Sequence, residues 1–101
     1  MKRGEALRRL DREIAAEKAA ALGRAGERLE LALAQAAAIG SRLAVAGDAA
    51  ERQHLTTEYE QARARAASAR LMLIIQREAL GLRQHRVVDQ QFPEPPRPPL
   101  G

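Results

Sequence analysis

A chain of 101 residues is long enough for one domain, and with 46% apolar residues, rich in alanine and leucine, it has a single Tyr and a single Phe. That composition excludes a sheet protein, which would want β-branched and aromatic residues, and suits packed helices, where alanine is the best helix former. Cysteine is absent, which removes disulfides, thiol nucleophiles and Cys-based zinc sites together.

The net charge of +4 is unevenly spread: residues 1–12 carry five basic and two acidic groups, residues 13–62 five and eight, residues 63–81 four and one, and residues 82–101 three and two. Both ends are basic and the middle is acidic. The first residues, Met1 to Glu5, are basic, but Arg8, Arg9, Asp11, Arg12 and Glu13 interrupt any apolar continuation. No secretory leader is therefore expected. No run approaches the roughly 18 apolar residues of a membrane span, so the expected home is the cytoplasm, away from membranes.

Residues 5–46 read as one long helix. Leu7, Leu10, Ile14, Leu22, Leu29, Leu33, Ala36 and Leu43 recur at steps of three and four or their sums, the signature of one apolar face. Gly23, Gly26 and Gly40 each cost about 1 kcal/mol relative to Ala inside a helix. They mark either close contact with another backbone or a kink. Residues 46–51 then punctuate the chain. Gly47 suits the left-handed position that ends a helix. Asp48 is a good N-cap, and Glu51 follows three residues later, as in a capping box. A stop followed at once by a start predicts two helices folded back antiparallel across a turn at 47–48.

The second helix is expected over 49–80. Leu55, Tyr59, Ala62, Ala66, Ala69, Leu73, Gln76 and Leu80 alternate steps of four and three, a heptad seam facing the first helix. Leu71 to Ile75 is the densest apolar run in the chain. Successive helical residues turn by about 100°, so five in a row cannot share one face. Met72, Ile75, Ala79 and Leu82 form a second stripe, with Leu71 and Ile74 between or beyond the two. A hairpin covers only one stripe of each helix. The surface Leu71, Met72, Ile74, Ile75, Ala79 and Leu82 therefore needs another partner. A second copy would make a four-helix bundle from a homodimer. The rival cover is the chain's own segment 83–92, with Val87, Val88 and Phe92 as its apolar contacts; residues 82–91 read as a short helix or irregular stretch, or as a continuation of the second helix past Gly81 alongside the start of the first. Residues 92–101 read as a Pro-rich extended tail outside a helical domain over 1–91. The fold class is all-α: a long antiparallel, coiled-coil-like hairpin.

Four groups of residues are candidates for function. The open end of an antiparallel hairpin collects Arg8, Arg9, Arg12, Arg70, Arg77, Arg83 and Arg86, a possible anion-binding pole. Arginines late in the second helix agree with its dipole, but those at the start of the first oppose it. They call for solvent, an acidic end of another copy, an anionic protein partner of unknown identity, or nucleic-acid phosphate. Glu51 and His54 share the Glu-x-x-His spacing of di-iron bundles, but Glu51 is engaged as a cap and no inward Glu faces it, so no metal or other cofactor is expected. His85 and Asp89 form a possible hydrogen-bonded pair four residues apart, with no nucleophile beside them. Tyr59 reads as a seam residue with its hydroxyl in water. Finally Pro93 to Pro96 and Pro96 to Pro99 both fit Pro-x-x-Pro, with Arg97 inside the second. The tail is either a peptide ligand for an aromatic groove, a solvated end or a strap along the bundle. Only length resembles the small hairpin substrates of type VII secretion, whose Trp-x-Gly turn is missing here, so no family is assigned. The functional expectation is a non-catalytic interaction, adaptor or structural protein that self-associates. The alternative is a small nucleic-acid-associated protein using the basic end.

Overall fold

The computed structural model describes residues 2–98. It has three helices: α1 over Arg3–Ala44, α2 over Ala49–Ala79 and α3 over Arg86–Gln91. No strand occurs among the described residues. The molecule is a rod with extents of 71 × 23 × 15 Å, made by α1 and α2 packed along one another. No helix among the described residues is long and apolar enough to cross a membrane.

α1 runs unbroken through all three of its suspect glycines. Gly40 faces the ring of Tyr59, where a Cβ would come within 3.1 Å of the ring edge, while Gly23 and Gly26 have open space beside them. Gly40 alone is therefore a close-approach glycine. The seam between the helices is small in its middle and larger at its ends. Ala36, Leu43, Leu55, Tyr59 and Ala62 form a buried cluster near the turn. Ala25, Leu29, Leu73 and Val88 form a second, nearer the open end. Ala32 and Ala66 are buried between them. Alanines at facing positions let the backbones approach closely, which accounts for the Ala-rich composition.

The turn departs from expectation. Gly47 does not have a positive φ; among the described residues only Gly81 does. α1 ends at Ala44, two residues early, and its last turn tightens through Val45 N–H to Arg42 O and Ala46 N–H to Leu43 O. The chain then crosses over residues 45–48. Arg52 reaches back to donate to the carbonyls of Ala46 and Gly47 at 3.3 and 3.4 Å, which ties the turn to the first turn of α2. The start of α2 is as read: the Asp48 carboxylate accepts from Glu51 N–H at 3.0 Å.

α1 outreaches α2. The contact of Gly40 with Tyr59 and of Ala25 with Leu73 sets the pairing, and by it Ala79 stands level with about residue 19 of α1 at the common 1.5 Å rise. Residues 2–20 are exposed throughout. Their stripe of Leu7, Leu10 and Ile14 continues the α1 seam with no α2 opposite it.

Candidate interaction surface

The end of α2 determines what the rest of the chain can do. Gly81 adopts φ +85°. Its N–H reaches Glu78 O and the Leu82 N–H reaches Arg77 O, at 2.9 and 3.0 Å. These two bonds are the Schellman pattern, and they turn the chain back on itself. Residues 82–98 then run antiparallel to α2, towards the turn. α3 is one short piece of this return, and its Val88 is only 3% exposed, packed with Ala25, Leu29 and Leu73. Phe92 joins the same cluster from the chain beyond α3.

Three arginines of α2 hold this strap in register. Arg77 donates through its guanidinium to Gln84 O at 2.8 Å and to His85 Nδ1 at 3.3 Å. Arg70 pairs with Asp89. Arg63 donates to Pro95 O at 3.2 Å and lies 3.6 Å from the Glu94 carboxylate. Positions 63, 70 and 77 are seven apart, so they fall on one line along the helix with a drift of only about 20° per heptad. Tyr59 ends the row, its hydroxyl donating to Pro96 O at 2.7 Å.

This arrangement corrects several expectations. Arg70 and Arg77, placed by sequence in an anion-binding pole, are engaged within the chain. Arg8, Arg9, Arg12, Arg83 and Arg86 are exposed. The His85–Asp89 pair does not form, because Asp89 is taken by Arg70. His85 instead accepts from Arg77 at Nδ1, which leaves Nε2 to donate to Glu78 at 3.2 Å. The Tyr59 hydroxyl is not left to water. Of the Pro-x-x-Pro residues, Pro93, Pro96 and Arg97 expose their side chains while the carbonyls of Pro95 and Pro96 are held by α2. Pro99 lies outside the described residues. His54 sits 3.3 Å from Glu58, an exposed pair one turn apart. No group of three or more His, Asp or Glu among the described residues converges to hold a metal.

The strap passes along one side of α2 and leaves the other open. Counting about 100° per residue from Arg70, Ile75, Ala79 and Met72 lie roughly 140°, 180° and 200° round the helix. They point away from the strap. Met72 is 50% and Ile75 47% exposed, and Leu71, Ala79 and Leu82 are exposed as well. Ile74 is half-buried. Arg63 and Tyr59 were missed as strap holders. The heptad interval Arg63–Arg70–Arg77 was the available signal, and it is informative only once a segment with free carbonyls and a carboxylate is known to lie beside it.

Comparison with protein-family models, with curated proteins and with solved structures finds no match.

Proposed function

We propose that the chain is a non-catalytic helical interaction protein that acts by associating with a second copy through the open side of its hairpin. The observation that carries this reading is the half-exposed pair Met72 and Ile75, with the exposed Leu71 on the same side of α2 and the chain's own strap committed to the opposite side. Large apolar side chains grouped on one side of an elongated rod mark an interaction site.

Light scattering tests the proposal. The wild-type chain is expected to have twice the monomer mass at micromolar concentration, and Ile75→Glu to have the monomer mass. Because Ile75 is half-exposed in the single chain, the variant is expected to keep its helix content by circular dichroism. A wild-type chain that stays monomeric at hundreds of micromolar overturns the reading.

A further inference from the structure

We infer that two copies lie antiparallel along their whole length, related by a two-fold axis that passes beside Met72 and Ile75; this deepens the self-association just proposed and rests on it. The first ground is where the patch sits. By the pairing of Ala25 with Leu73, Met72 and Ile75 stand level with about residues 26 and 23 of α1, counting one residue for one at equal rise. α1 spans Arg3–Ala44, so the patch lies at the middle of the rod and not at its end, because the overhang of α1 shifts the centre. With the patch at mid-length, side-by-side rods bring it onto its own copy and also overlap along their full length.

The second ground is charge. Residues 2–12, at the open end, carry five basic and two acidic groups, a balance of +3. Residues 37–61, which form the turn end, carry two basic and four acidic groups, a balance of −2. Antiparallel rods set each +3 end against a −2 end. Parallel rods would set +3 against +3 and −2 against −2. Side by side, these charges lie about one Debye length apart, close enough for the sign to count.

The third ground is area. A strip 71 Å long and about 10 Å wide, roughly one helix diameter, covers ~700 Å² per copy, or ~1,400 Å² in total, inside the range of stable specific interfaces. Two copies joined only by their overhangs would share a strip of about 24 Å and cover ~500 Å² in total, which is too little. Full overlap also gives the overhang a use. With the axis at mid-length, the exposed Leu10 falls level with about residue 39 of the second copy. The straps then lie away from the contact, on the side of α2 opposite Met72 and Ile75.

One labelled variant reads the arrangement. Val45 is 83% exposed at the turn and the chain has no cysteine, so Val45→Cys provides a single attachment point. Donor- and acceptor-labelled chains are mixed and their transfer distance measured, with small-angle scattering on the same sample. The expected result is a dimer by mass, labels about 60 Å apart at 1.5 Å per residue, and a longest dimension close to the 71 Å of one rod. A dimer with labels within about 25 Å, two to three helix diameters, is parallel and overturns this arrangement while leaving self-association standing. A dimer about 120 Å long, two rods overlapping by their ~24 Å overhangs, overturns it likewise. A monomer by mass removes both the arrangement and the reading beneath it.

Discussion

At position 81 the backbone sits at φ +85°, and a Cβ there would meet nothing within 4 Å. The cost of Gly81→Ala is therefore conformational alone, about 1–2 kcal/mol for an L-residue in the left-handed region, and should appear as a lowered urea midpoint. Gly23 faces open space inside α1, so Gly23→Ala should raise the midpoint, by up to about 1 kcal/mol of helix propensity. Gly40→Ala should fail to show that gain, since its Cβ would crowd the Tyr59 ring at 3.1 Å and the ring is tethered through its hydroxyl to Pro96 O. Tyr59→Phe removes that tether, with an expected loss of about 0.5–1.5 kcal/mol. A gain for Gly40→Ala equal to that of Gly23→Ala would show that the ring moves aside freely.

Among the elements, the strap is the one whose stability is separable from the rest. α3 is six residues long, far shorter than a helix that stands alone in water. Packing holds it: Val88 in the cluster with Leu29 and Leu73, with Arg63, Arg70 and Arg77 fixing its register. The ion pair of Arg70 with Asp89 is partly exposed, so it is worth less than about 1 kcal/mol. Burial of Val88 and Phe92 should dominate. Val88→Asp would place a charge in that cluster and is expected to release the strap. Hydrogen exchange would then lose protection at the α3 amides of Val88, Asp89 and Phe92, which are hydrogen-bonded in the strap, while the middle of α1 and α2 keeps theirs. Arg70→Ala should produce only a partial loss. Equal effects from the two variants would mean that the arginines, rather than the apolar contact, hold the segment.

For the whole molecule, association driven by an apolar patch and guided by opposite-signed ends has a distinct salt response. Raising ionic strength screens the attraction between the ends, so the antiparallel dimer should weaken from 50 mM to 500 mM salt, as measured by sedimentation. Parallel rods would respond in the opposite direction, since salt would relieve repulsion between like ends. The same screening would weaken binding to nucleic acid, so the measurement is made on the protein alone.

Local physics, reaching no further than a few residues, determined much of this protein from sequence alone. Alternating steps of three and four placed the seam of α2 on Leu55, Tyr59, Ala62, Ala66, Ala69, Leu73, Gln76 and Leu80; the structure buries Leu55, Tyr59, Ala62, Ala66 and Leu73, half-buries Ala69 and Gln76, and leaves Leu80 exposed. Asp48 opened α2 because its carboxylate meets an N–H three residues on. Gly47 takes no left-handed cap because a glycine near a helix end is compatible with one without requiring it, and the last turn of α1 tightens instead through Val45 N–H to Arg42 O and Ala46 N–H to Leu43 O. The stripe Met72–Ile75–Ala79 was legible as an unpaired surface by counting helical turns. Which of two grooves the C-terminal segment would enter was decided only by the tertiary structure. That choice depends on Arg63, Arg70 and Arg77 lying beside carbonyl and carboxylate groups 7 to 32 residues further along the chain. Sequence periodicity assigns residues to the faces of one helix, whereas the match between a face and a distant segment exists only after the hairpin and the Gly81 reversal have brought the two together.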